Sequence, residues 1–117
     1  MQTELMGFPV KLGKEETAME WMTFLKAHQQ DFLKTLPDEQ MMVESIFTTT
    51  ISGKMYLCWY SIQGENPRRV EDSDNELDRK HVAYWEDCID EQQPPLRFKH
   101  IVNYVPTELT NTMSELY

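Results

Sequence analysis

Apolar side chains fall at every second position in residues 4–12, where Met6, Phe8, Val10 and Leu12 share one face. That period predicts a strand. Pro9 lacks an N–H and suits a strand end, a bulge or an unpaired position. Gly13 breaks the pattern, and the spacing then becomes helical over 14–35, with Ala18, Trp21, Met22, Leu25 and Phe32 facing a core. Glu15 and Glu16 lie in the first turn, where the helix dipole favours negative charge. Pro37 disfavours helix at Leu36 and marks the expected end.

Two strands are expected over 41–49 and 55–63, joined by Thr50-Ile51-Ser52-Gly53-Lys54 with Ser-Gly as the turn signal. Met55-Tyr56-Leu57-Cys58-Trp59-Tyr60 has no polar alternate, so both faces of that strand should be covered. A loop follows over 64–73. Ser73-Asp74-Asn75-Glu76 has the form of a capping box, and the helix it opens should run to about Gln92. Leu77, His81, Tyr84, Trp85 and Cys88 fall on one face of it. Pro94 and Pro95 end the helix. Phe98, His100, Val102 and Tyr104 alternate in a last strand over 96–105, and Pro106 opens a short terminal helix carrying Leu109, Met113 and Leu116.

The order β-α-β-β-α-β, with two right-handed crossovers joined by a hairpin, predicts a ferredoxin-like α+β domain spanning 1–117. It would hold a four-stranded antiparallel sheet with two helices on one face. The apolar third strand implies a cover on the other face, from a second subunit or from the terminal helix, and a homodimer is the favoured expectation.

Composition narrows the partners. The chain has 117 residues, 40% of them hydrophobic, which is enough for one core. Twenty acidic residues against eleven basic give a net charge of −9. Such a surface repels phosphate backbones and anionic bilayers, so neither nucleic acid nor membrane is expected as a partner. No apolar run is long enough to span a bilayer, and Met1-Gln2-Thr3-Glu4-Leu5 lacks the basic and apolar regions of a signal peptide. Cys58 and Cys88 are expected as reduced, inert thiols in a cytoplasmic protein.

His81 is the first candidate for chemistry, because it lies on an apolar helix face between Leu77 and Trp85. Its ring is suited to acid or base work, with Asp78 placed to orient it. The competing reading is a core histidine satisfied by its neighbours. Glu44 interrupts the apolar run Met41-Met42-Val43-Glu44-Ser45-Ile46-Phe47; a buried carboxylate is costly unless paired, and its pKa tends to rise. Glu44 could equally face solvent or pair with a cation. Tyr60, Gln63 and Glu65 end a strand and could donate or accept at a pocket mouth, with Trp59 and Trp85 as apolar walls. Those aromatics could also be plain core. His28, His81 and His100 are dispersed, and no metal-ligand spacing, phosphate loop or dinucleotide fingerprint occurs, so neither metal nor cofactor is expected.

Two stretches, Tyr56-Leu57-Cys58-Trp59-Tyr60-Ser61-Ile62-Gln63-Gly64-Glu65 and His81-Val82-Ala83-Tyr84-Trp85-Glu86-Asp87-Cys88-Ile89-Asp90, together with the Glu44 strand and Glu20-Trp21-Met22, resemble a family of small bacterial proteins of unknown function. The resemblance implies no activity. The topology is similar to the dimeric α/β-barrel superfamily, which includes small monooxygenases, haem-degrading enzymes and sugar mutarotases. That likeness is architectural and implies only where a pocket would lie, between sheet and helices or inside the dimer barrel. Two readings therefore stay open: a protein that binds or transforms a small molecule, with His81 and Glu44 as an acid/base pair, and a non-catalytic dimeric interaction or structural module.

Overall fold

The computed structural model describes residues 1–67 and 75–116. Along the chain run β1 (Gln2–Pro9), α1 (Glu15–Ala27), α2 (Gln29–Leu33), α3 (Leu36–Glu39), β2 (Met41–Ile51), β3 (Lys54–Gln63), α4 (Glu76–Cys88), β4 (Leu96–Arg97) and α5 (Thr107–Leu116). The fold is α+β, with an open antiparallel sheet of four strands in the order β2-β3-β1-β4.

The two long helices differ from those expected. The helix expected over 14–35 is broken at His28 and again before Leu36. In an unbroken helix Phe32 would lie about 12 Å along the axis from Phe24. The bend brings the two rings to 5.8 Å, edge to face. Pro37 opens a helix instead of ending one: it sits in the first turn of α3, where its missing N–H has no intrahelical partner to lose. Gln40 stops α3 in the left-handed conformation, at φ 55.

The start of α4 also differs. Its cap is Asn75, whose side-chain oxygen accepts the backbone N–H groups of Leu77 and Asp78 at 2.8 and 3.4 Å. Ser73 of the expected capping box lies outside the described residues, as does most of the expected loop. The helix ends at Cys88, short of Gln92, because Ile89 turns extended to pair with Val10. Backbone bonds from Lys11 to Cys88 and from Asp90 to Pro9 fix that crossing at 2.8 Å each.

The hairpin forms where expected and is longer. Ile51 pairs with Lys54 across Ser52-Gly53, both with positive φ, the backbone that matches the twist of two-residue hairpins. The strand expected over 96–105 is the largest departure. Only Leu96 and Arg97 pair, with Gly7 and Met6. Beyond them the chain leaves the sheet edge, and Ile101 and Tyr104 stand 80% and 93% exposed. Alternation alone does not make a strand where no paired edge continues.

Pairing assigns the sheet faces, because directly opposite residues share one. One face carries the rows Phe8–Leu57–Thr48, Met6–Trp59–Ile46 and Glu4–Ser61–Glu44. Ala18, Trp21 and Phe24 of α1 and Cys88 of α4 form one buried core with Leu57, Val10 and Ile89. The other face carries Gly7–Cys58–Phe47, Leu5–Tyr60–Ser45 and Thr3–Ile62–Val43.

Ser52 sits at φ 50, where a side chain with a β-carbon is strained and asparagine is tolerated best. Ser52→Asn is therefore expected to raise the unfolding free energy by about 0.5 kcal/mol, read as a shift in the urea midpoint. An unchanged or lower midpoint would mean that this turn does not limit the hairpin.

Candidate functional site

Trp21 is wholly buried on α1, and its indole N–H donates to His81 Nδ1 at 2.9 Å. His81 stands on α4, so this bond ties the two long helices together over the sheet. Because Nδ1 accepts, a neutral His81 carries its proton on Nε2. A protonated ring would set two N–H donors against each other at this point. Trp59 rises from β3 between the helices, its ring 5.5 Å from Trp21, 6.5 Å from His81 and 5.3 Å from Trp85. Phe8 and Phe32 close the layer, Phe8 at 4.7 Å from Trp85 and Phe32 at 6.0 Å from His81.

Glu44 joins this layer through Trp59, whose indole N–H donates to its Oε1 at 3.1 Å. Trp59 thus stands between the two residues expected as an acid/base pair. Much of the Glu44 side chain is open to solvent, yet its carboxyl is turned onto the indole and partly desolvated. Desolvation pushes its pKa up, and the Trp59 bond opposes the rise.

Two further carboxylates lie close by. Glu39, half-buried at the end of α3, is pushed up to about 7, first by desolvation and then by the negative charges of Glu44, Asp78 and Asp38, with the Thr35 hydroxyl acting in the opposite direction. Asp78, one helical turn before His81, is only 2% exposed, and its Oδ1 has no hydrogen-bond partner. An oxygen in that state does not orient the His81 ring through a hydrogen bond; Trp21 holds Nδ1.

The other expected site residues are scattered. Trp85 belongs to the aromatic layer, and its N–H reaches Glu91 at 3.3 Å. Tyr60 points to the opposite face of the sheet, where with Leu5, Phe47, Cys58 and Phe98 it lines an apolar concavity of about 410 Å³. Gln63 is buried and donates to the Ser61 hydroxyl at 2.8 Å. Glu65 is exposed in the loop after β3. A second concavity, of about 230 Å³, lies between Lys11 and the end of α4. Neither is lined by His81 or Glu44. Burial raises the pKa of both thiols, Cys58 and Cys88, which keeps them protonated.

Three members of the group escaped the sequence reading as site residues. Trp21 read as core, which it is, and nothing in the pattern marked its N–H. Glu39 stood beyond the expected helix end. Phe32 joins only because the helix bends at His28. Among the described residues no three His, Cys, Asp or Glu side chains are placed to share a metal ion, and no helix is long and apolar enough to cross a membrane.

No curated protein and no solved structure matches the chain. The model of a family of unknown function, DUF6176, matches residues 1–111, and the chain belongs to that family.

Proposed function

We propose that this chain is a soluble, cytoplasmic, ferredoxin-like domain that binds a small molecule at the rim where α3, β2 and α4 meet over Trp59. One observation carries the reading: the Glu44 carboxyl is turned onto the Trp59 indole N–H at the edge of an aromatic layer, and beside it Glu39 is pushed up to about 7 by desolvation and by the charge of Glu44. A group that takes and gives a proton near pH 7, as Glu39 does, is suited to acid–base work. Glu44 is the member open to a ligand, Trp59 is the wall it would meet, and His81 backs that wall. The strand order β2-β3-β1-β4, with crossovers through α1–α3 and through α4, supports the ferredoxin-like assignment.

A second reading, a dimeric module without chemistry, has an observation of its own. The four strand rows from Pro9–Tyr56–Thr49 to Thr3–Ile62–Val43 contain no charged residue, in a chain that is 26% charged. Phe47 and Phe98 are more than half exposed on that side. Two copies with a charge of −9 each repel, and this is a surface on which they can meet without opposing like charges. Homodimerisation through this face is compatible with the site reading, because the rim lies on the other face.

Three outcomes are expected. In a thermal-shift screen against a small-molecule library, compounds that stabilise the wild type should lose their effect in Glu44→Gln and Trp59→Phe; equal shifts in all three proteins would sink the rim as the site. Folded Glu39 holds its proton up to about pH 7, against 4.5 for the ordinary carboxyl. The stability this lends is present at lower pH and fades as pH rises through that window. Glu39→Gln should match the wild type near about pH 4 and exceed it by about 1 kcal/mol near about pH 8, after allowance for solvent screening, in urea titrations. Parallel pH profiles would show that Glu39 titrates normally. Sedimentation equilibrium should find a dimer that Phe47→Glu converts to a folded monomer, whereas a monomeric wild type would remove the second reading.

A further inference from the structure

We infer that residues 98–105 of each chain form a β-strand on a second copy of the chain, adding to the outer edge of its β2. The inference rests on the dimeric reading above and names the segment and the edge that join the two copies.

Unpaired backbone is the first argument. Residues 98–105 belong to no helix or strand, and among the described residues they make no backbone hydrogen bond. One side-chain bond to another element holds them, from Asn103 to the Thr3 hydroxyl. The segment nevertheless has strand character: Phe98, His100, Val102 and Tyr104 alternate, and Ile101 and Val102 are β-branched. Residues 97–104 are all exposed. Extended, unpaired backbone of this kind is a template for another chain.

β2 has the complementary lack. It is the outermost strand on its side of the sheet and pairs only with β3. A bulge bends its start between Met41 and Val43. Over 44–51 it carries neither lysine nor proline, the residues that commonly blunt an edge. In one copy β2 lies at one edge of the sheet and β4, which leads into 98–105, at the other, so the two can pair only between copies. A two-fold axis satisfies both copies at once, each lending its segment to the other, and the assembly closes at two.

Charge and area select a second copy as the occupant. The two longest stretches of the chain without Asp or Glu are 45–64 and 92–107. The first is the β2–β3 hairpin with the residue after it, and the second holds the exposed segment. Their charged residues are Lys54, Arg97 and Lys99, with His100 beside them. A chain of net charge −9 thus keeps acid off both surfaces that would meet, and the segment brings cations to an acidic partner. Phe98, Ile101, Val102 and Tyr104 are each more than half exposed, as is Phe47 of β2. Together they offer on the order of 500 Å² of apolar area. A stable interface takes about 800 Å² from each partner, a little over half of it apolar.

The test is hydrogen–deuterium exchange of the wild type above and below its dimer dissociation constant, with sedimentation equilibrium of four variants. In the dimer, amides of 98–105 and of β2 should exchange at least roughly tenfold more slowly than in the monomer. Alternate N–H groups of a strand face each neighbour, so at least one of Ile101→Pro and Val102→Pro should weaken association by roughly tenfold or more. Ile101→Glu, which puts acid into the strand, should do the same. Leu12→Glu, at an exposed apolar position outside both segments, should not. Positions 101 and 102 are exposed and make no backbone bond. The variants should therefore keep the unfolding temperature of the wild-type monomer, which separates lost pairing from lost folding. A dimer that survives all three segment variants, with 98–105 exchanging freely, would overturn the inference and leave a dimer through Phe47 standing. Equal protection of 98–105 in monomer and dimer would put the strand on its own chain and overturn it. Protection of 98–105 without β2 would remove the edge proposed, and oligomers that grow beyond two would remove the two-fold exchange. If the wild type stays monomeric, this inference and the dimeric reading both fall.

Discussion

A wholly buried tryptophan has one donor and must place it. Trp21 places its N–H on His81 Nδ1, and much of the structure follows from that bond. An indole N–H left unmet in a core costs more than its hydrogen bond contributes when made. The bond fixes the rotation of α1 against α4, because donor and acceptor stand on different helices 60 residues apart. It also fixes the His81 ring, and with it the surface against which Trp59 and Phe32 pack. A polar residue on an apolar helix face is thus explained structurally: the orientation of His81 is set by Trp21.

The two sheet faces divide the labour of a small acidic domain. The helix-covered face holds the aromatic layer and, at its edge, the carboxylates. The opposite face holds no acidic side chain in its paired strand rows, and its one charge there is Lys54 at the hairpin end. A net charge of −9 must go somewhere, and in this chain it goes to helices, loops and the rim. Crowding acids at the rim raises their proton affinity, as at Glu39, while the paired rows of the other sheet face are left without acidic side chains. Both features arise from one distribution of charge.

The sequence made most of the elements legible because their signals are local. Alternation marked β1, apolar runs on either side of Ser52-Gly53 marked β2, β3 and their hairpin, and helical spacing marked α1 and α4. What it could not convey depended on distant partners. The break at His28 has no glycine or proline to announce it and is favoured by Phe32 meeting Phe24 and His81. The strand expected over 96–105 had the right period but found only two partners on β1. For the site, Glu44 was legible because a carboxylate in an apolar run is conspicuous, and His81 because it interrupts an apolar face. Glu39 was not, since its environment is made by residues from β2 and α4. Tyr60 was misplaced relative to Trp59 for an elementary reason: adjacent residues on a strand point to opposite faces.

The rim also depends on a device outside it. α3 has only four residues, too few to hold itself in place. Gln40 anchors it: its carbonyl accepts the N–H of Gly64 at 2.8 Å, its side-chain oxygen accepts the N–H of Asn66 at 3.0 Å, and its own N–H returns to Leu36 and Pro37. To make these bonds at once, Gln40 takes a left-handed backbone that glycine would adopt with less strain. A glycine would relieve the strain and lose the side-chain bond to Asn66. The strained glutamine therefore ties the end of α3, where Glu39 stands, to the loop leaving β3, the strand that carries Trp59. Like-charged groups separate unless the backbone holds them, and Gln40 clamps the segment that keeps Glu39 within reach of Glu44.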